Sequence, residues 1–203
     1  MVDPSPFPDR AKAELKRKLR AKMRVTRREY VADLPDATRA LLFLRPPAPI
    51  AALAPEDTAV GLYHALPVEA PTRSYAKWFY ENGRTIALPR FESRDSPMRF
   101  HIWRDPYEDG DLEPGPFNFP QPASDAPEVT PALVLVPLLA FSPACDRLGQ
   151  GGGHYDRWLD ENREVLPIGL AWDCQCVDLL PVEPHDRKLE AVVTPTRYYE
   201  GSE

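Results

Sequence analysis

The sequence predicts an α/β fold: a single layered domain with a mainly parallel sheet flanked by helices. Three observations carry that expectation. From residue 59 onward, short apolar runs alternate with segments of helical spacing, the order that βαβ units produce. The run Ala132–Val136 (ALVLV) is continuously apolar rather than alternating, as a strand covered on both faces is. The length of 203 residues, with 43% hydrophobic and 28% charged side chains, suits one water-soluble domain spanning 1–203 with a sizeable core.

The elements follow in order. Residues 1–8 form a proline-rich tail, and a basic helix is expected over 9–30, with Asp9 placed as its N-cap after Pro8. Ala11, Leu15, Leu19 and Met23 recur every four residues, an apolar stripe expected to pack down while the cations fan over the remaining surface. Asp36 is placed to cap a second short helix through Leu44, stopped by Pro46 and Pro47. Ala59–His64 reads as a strand, and a helix over Pro71–Glu81 ends at Asn82-Gly83. Thr85–Leu88 and Met98–Trp103 are the next strands. Residues 104–131 hold seven prolines and many acids and read as one long loop or lid. The strand at Ala132–Val136 precedes a glycine-rich turn and a helix over His154–Asn162. Strands at Pro167–Trp172 and Glu190–Thr194 complete the pattern.

Composition excludes several classes. The longest apolar run, Ala132–Phe141, is about half of what a membrane-spanning helix needs. The basic, proline-broken N-terminus has no apolar signal segment. The three cysteines, Cys145, Cys174 and Cys176, form no Cys-x-x-Cys pair, so a reduced cytoplasmic setting is expected. Charge is uneven: residues 10–28 carry +9 and the rest of the chain −15, for a net −6. A solvated cationic face is one reading of that arm and a nucleic-acid-binding module another. The acidic remainder and the absence of interleaved aromatics disfavour a polyanion and suit a small one such as a nucleoside triphosphate.

The chemistry concentrates in Arg147-Leu-Gly-Gln-Gly-Gly-Gly-His-Tyr-Asp-Arg157. Four of the ten glycines fall within 149–153, just before a predicted helix. Glycine lets backbone approach a ligand closely, and amides at a helix start favour an anion, so the stretch has the makings of a phosphate cradle. It is neither a Walker loop nor the dinucleotide fingerprint, and a flexible turn is the plain alternative. Arg147 and Arg157 bracket it, as phosphate partners or as surface ion pairs. Asp156 either favours the helix dipole or binds Mg²⁺ beside phosphate. Asp186, in Pro181-Val-Glu-Pro-His-Asp186, reads as a loop acid or a second metal carboxylate. Glu69 follows the first strand, at the end where parallel sheets collect ligands. His64, His101, His154 and His185 are scattered, and no covalent nucleophile motif is present.

Taken together, these segments resemble the 5-formyltetrahydrofolate cyclo-ligase (5,10-methenyltetrahydrofolate synthetase) family from about residue 12 to 195. The most specific stretch is Val136-Pro-Leu-Leu-Ala-Phe with Arg147–Arg157. Ile168–Gln175, Pro181–Asp186 and Val193-Thr194 resemble its C-terminal block. Glu69 with Thr72, Gly83, Leu88-Pro89-Arg90, Phe117–Pro122 and Lys16-Arg-Lys-Leu-Arg20 complete the order. The resemblance implies a fold related to sugar-phosphate isomerases and CoA transferases, and ATP- and Mg²⁺-dependent cyclisation of 5-formyltetrahydrofolate. It implies Lys16, Arg20, Arg147, Leu148, Gly149, Gln150, Gly151, Gly152, Gly153, His154 and Tyr155 at ATP. His64, Glu69, Gln150, Gly151, Gly152, Gly153 and His154 fall to the folate, Asp156 and Asp186 to Mg²⁺, and Arg147 and Tyr155 to catalysis. His154 stands where many relatives carry a tyrosine, Gly152 where some carry lysine, and Lys12 with Lys16 is a rival N-terminal pair. A cytoplasmic monomer acting on these two small molecules, with no nucleic-acid or membrane partner, is the resulting expectation. An ATP-binding relative acting on another substrate is the alternative.

Overall fold

The computed structural model describes residues 9–183 and 186–201, with side chains from Lys12 onward. The tail at 1–8 and the Pro184-His185 pair of the C-terminal motif lie outside those residues, and Asp9, expected as the N-cap, is instead the first residue of α1. In chain order the elements are α1 (Asp9–Asp33), α2 (Asp36–Arg39), α3 (Ala48–Ala52), β1 (Ala59–Gly61), α4 (Arg73–Glu81), β2 (Thr85–Arg90) and β3 (Arg99–Ile102). They continue with β4 (Leu112–Pro114), β5 (Pro120–Pro122), β6 (Leu133–Val136), β7 (Ala140–Phe141), β8 (Arg147–Leu148), α5 (His154–Glu161) and β9 (Leu166–Leu170). A short 3-10 turn (Asp173–Gln175), β10 (Ala191–Val193) and β11 (Tyr198–Glu200) follow.

Seven strands form the central sheet in the order β11-β10-β9-β6-β1-β2-β3. The five inner strands run parallel, and β11 and β3 close the edges antiparallel. The mainly parallel α/β expectation is thus met. The side-chain period of two explains the continuous ALVLV run. Leu133 and Leu135 enter a core with Tyr75 and Phe79 of α4, whereas Val134 and Val136 enter another with Trp158 and Leu159 of α5. Helices therefore cover both faces, and every residue of β6 is buried.

Several elements differ from the sequence expectation. The second helix lasts one turn, Asp36–Arg39, behind Pro35 rather than an Asp36 cap. Phe43 then takes a positive φ of 55° and inserts its ring against Trp172 and Tyr75, at centroid distances of 5.3 and 6.3 Å. That buried anchor outweighs local helical preference over 40–44. A short helix, α3, starts within the proline-rich 46–55 stretch, because Pro47 and Pro49 sit at the N-terminal positions where a missing N–H costs nothing. Helix α4 starts at Arg73, not Pro71, since the Thr72 hydroxyl donates to the Tyr63 carbonyl at 2.6 Å. Strand β2 runs through Pro89. The Trp103 N–H bonds the Ile86 carbonyl, so in register Pro89 faces Phe100 at a non-hydrogen-bonded position and costs no bond to β3, while the pairing with β1 ends before it, at Gly61 and Ala87. The supposed loop at 104–131 contains the β4–β5 hairpin, and 140–148 holds the β7–β8 hairpin.

Helix α1 carries the correction that matters most for function. Its buried line is Lys12, Lys16, Met23, Arg27 and Val31, with Leu15 and Leu19 only half-buried. The face turned inward is as cationic as it is apolar, because the helix lies along a cleft rather than on a solid core.

Candidate active site

Parallel strands release their chains at a common end, and the segments after β1, β2 and β6 meet there, joined by the glycine turn that follows the β7–β8 hairpin. They enclose a cleft of about 1190 Å³ with α1 along one side. Every site residue expected from the sequence lines it: Lys16, Arg20, His64, Glu69, the whole 147–156 stretch and Asp186. Segments separated by more than 160 residues are thus brought together.

The glycine loop leads from β8 into α5. Gly153 stands at the helix N-cap with φ of 66°, and a Cβ there would lie 2.8 Å from the Arg157 guanidinium. Glycine alone fits that turn without strain. The opposite wall is α1, whose Lys16, Arg20, Arg24 and Arg27 are spaced 4, 4 and 3 apart and so share one face. Arg20 donates to the Gly149 carbonyl at 3.0 Å, and Arg24 donates to the Gln150 carbonyl at 3.2 Å. The Lys16 ammonium, only 4% exposed, sits 2.5 Å from both the Glu183 and Asp186 carboxylates. Arg147 pairs with Asp156, and Arg157 donates to the Gly152 carbonyl at 3.0 Å.

Glu69 closes the cleft floor. Its carboxylate accepts from the Leu66 N–H at 3.1 Å and the Gln150 amide at 3.4 Å, and it faces the Arg27 guanidinium at 3.5 Å. The turn carrying it is tied by Tyr63 donating to the Ala70 carbonyl and by Trp172 donating to the Val68 carbonyl. The Tyr155 hydroxyl is buried and meets no hydrogen-bond partner among the described residues. Burial first, then the Glu69 charge, holds its pKa well above the ordinary tyrosine value, so it is a neutral donor.

A third wall is aromatic. The His154 ring lies edge-on to Phe91 and Phe117, with centroids 5.0 and 5.5 Å away. Burial, helped by the Arg157 charge, lowers its pKa, so the ring is neutral at pH 7. Gln121 braces this wall by accepting from the Phe91 N–H and donating to the Phe91 carbonyl, each at 3.1 Å. His64 lies toward Arg73 and Asp109, and burial lowers its pKa too.

The metal assignment meets a suitable donor set. Asp156, Asp160, Glu183 and Asp186 offer carboxylate oxygens to the cleft, the hard donors magnesium takes alongside phosphate. Among the described residues no group of three or more His, Cys, Asp or Glu could hold a metal by itself. One or two carboxylates completed by phosphate oxygens is the arrangement these residues fit.

The family model for 5-formyltetrahydrofolate cyclo-ligases matches residues 12–195. The chain belongs to that family. The similar 5-formyltetrahydrofolate cyclo-ligase of Escherichia coli K12 is 43% identical over 86 residues, 39% of this chain and 47% of the relative. The chain therefore spans about half the length of that relative. The Haemophilus influenzae 5-formyltetrahydrofolate cyclo-ligase is 29% identical over 135 residues, 63% of this chain and 70% of the relative. In fold, the chain is similar to the Aquifex aeolicus 5,10-methenyltetrahydrofolate synthetase, with a TM-score of 0.62 at 22% identity over 93% of this chain and 92% of that one. The Mycoplasma pneumoniae 5,10-methenyltetrahydrofolate synthetase gives 0.61 at 21% identity, covering 87% and 96%.

Within this cleft, sequence reasoning missed Arg24, Arg27, Tyr63 and the placement of Phe91 and Phe117 against His154. The arginines had a signal, the helical spacing that continues from Lys16 and Arg20. The aromatic wall had none, because Phe91, Phe117 and His154 meet only through the fold.

Proposed function

We propose that this chain catalyses the ATP- and Mg²⁺-dependent closure of 5-formyltetrahydrofolate to 5,10-methenyltetrahydrofolate, releasing ADP and phosphate. The observation that carries this is the opposition of a cationic helix face to a glycine loop across a cleft floored by a buried carboxylate. A triphosphate suits the first pair and a hydrogen-bonding heterocycle suits the floor.

In this reading the Gly149–Gly153 backbone with Leu148, Gln150 and His154 cradles the triphosphate, and Lys16, Arg20 and Arg147 neutralise it. Magnesium, bound through Asp156 and Asp186, would neutralise phosphate charge; Arg147 and Lys16 would then be free to turn from those carboxylates to phosphate oxygens. Glu69 accepts hydrogen bonds from the pterin, with His64 and Gln150 beside it. The formyl oxygen attacks the γ-phosphorus as the bond to the ADP oxygen breaks. N10 then attacks the activated formyl carbon, loses its proton, and phosphate departs with the former formyl oxygen. Tyr155, a neutral buried donor next to Glu69, orients the reacting end and excludes water; Arg147 stabilises charge on the transferred phosphoryl group. No step calls for a protein nucleophile, in line with the lack of any nucleophile motif.

The nucleic-acid reading is weaker, because α1 turns Lys16, Arg20 and Arg27 into the cleft and pairs Lys18 with Glu14 on its outer side. Among the described residues no helix is long and apolar enough to cross a membrane. The deciding experiment follows absorbance in the methenyl-folate band with 5-formyltetrahydrofolate, with and without MgATP. Growth of the band that requires MgATP is expected. No growth in protein that binds ATP would shift the reading to a relative acting on another substrate.

A further inference from the structure

Arg27 is a buried cation in the cleft wall; Arg147, also buried there, pairs with Asp156 of α5, whereas Arg27 turns to Glu69. It is 4% exposed, and its Nη1 donates to the Leu138 carbonyl at 3.3 Å while standing 3.5 Å from a Glu69 carboxylate oxygen. Its Nε–H meets no partner among the described residues. A buried carboxylate without a cation is costly, and a guanidinium beside it compensates that cost and fixes its direction. Leu138 itself is fixed from the other side, since the Gln175 amide donates to the same carbonyl at 2.7 Å. The Gln150 amide supplies the second grip on the carboxylate, and Arg24 in turn grips Gln150 at its side-chain oxygen, 3.3 Å away.

We infer that Arg27 is a positioning residue for folate recognition: it holds the Glu69 carboxylate aimed across the cleft floor, and acts on the substrate only through that carboxylate. This rests on the proposed role of Glu69 at the pterin. Because Arg27 pairs with Glu69 rather than with the glycine loop, its removal separates the two substrates. ATP contacts made by Lys16, Arg20 and Arg147 stay in place, while the folate contact loses its direction.

The test is a double-mutant cycle read by equilibrium binding of 5-formyltetrahydrofolate and, separately, of MgATP. Arg27→Gln should weaken folate binding about tenfold and leave ATP affinity within about twofold. Arg27→Gln combined with Glu69→Gln should bind folate no worse than Glu69→Gln alone, because a residue acting through Glu69 has nothing to add once Glu69 is neutral. Arg27→Lys, which restores the charge, should recover part of the folate affinity. Arg27→Lys leaves no buried carboxylate unpaired, so where Arg27→Gln fails to fold it carries the test, with weakened folate binding and unchanged ATP binding expected. Additive losses in the double variant, or parallel loss of ATP and folate binding in Arg27→Gln, overturn the positioning role. Unchanged folate affinity in Glu69→Gln instead overturns the pterin reading beneath it, a separate and distinguishable result.

Discussion

Arg147 and Lys16 already have carboxylate partners in the cleft, Asp156 for one and Glu183 with Asp186 for the other. These ion pairs compensate buried cations in a low-dielectric wall, and two of the three carboxylates, Asp156 and Asp186, are those proposed for magnesium. Under the proposed mechanism these cations would exchange partners when MgATP binds. Arg147→Ala should therefore weaken ATP binding by about 1.5–3 kcal/mol, the range of a hydrogen bond to a charged group, as measured by calorimetry. An unchanged ATP affinity would remove Arg147 from the phosphate site. The histidines make a second residue-level prediction. His64 and His154 have pKa values lowered by burial, so near pH 6.5 the unfolded chain binds more protons than the folded one. Their contribution is complete above about pH 6.5 and is lost as pH falls through that value toward the folded-state pKa. Melting temperature should drop over this window, and His64→Gln with His154→Gln should flatten the drop. Parallel curves for wild type and variant would refute it.

Among the elements, the β4–β5 hairpin shows what a sequence of prolines and acids conceals. Pro114, Pro120 and Pro122 weaken any strand reading, yet Gln121 turns this segment into a brace by bonding both backbone groups of Phe91. Arg90 adds a contact to Glu113 at 2.6 Å. Gln121→Ala leaves the Phe91 N–H and carbonyl without those partners, at a cost of about 1–3 kcal/mol. Its measurable signs are a lower urea midpoint and faster proteolysis within 112–122. Loss of stability without altered cleavage there would place the effect elsewhere. Helix α1 teaches the complementary lesson. Its existence and extent were legible from the period of its residues, but which face turns inward was not. Apolar periodicity points to Leu15 and Leu19, whereas the cleft takes Lys16 and Arg27, because a ligand site rewards inward charge that a solid core would reject.

At the scale of the whole molecule, the sheet is the scaffold that gathers the site, and it tolerates little extra volume at its centre. A Cβ at Gly169 in β9 would fall 2.7 Å from Leu189 and 2.8 Å from Leu138, both apolar and buried. Gly169→Ala should cost about 1–3 kcal/mol by overpacking, seen as a lower urea midpoint at unchanged slope. A neutral result would mean that the Leu138 segment shifts freely, which would also loosen the carbonyl that Arg27 holds. The βαβ alternation of the central sheet, the buried ALVLV strand, the glycine loop and the family were determined by the sequence alone, because period, run length and ordered motifs are local properties of the chain. The antiparallel edges β3 and β11, the hairpins, the Phe43 anchor, the aromatic wall around His154 and the Arg27–Glu69 pair were decided only by tertiary structure. Each depends on residues far apart in sequence, and burial against a distant partner outweighs the weak local preferences by which a sequence can be read.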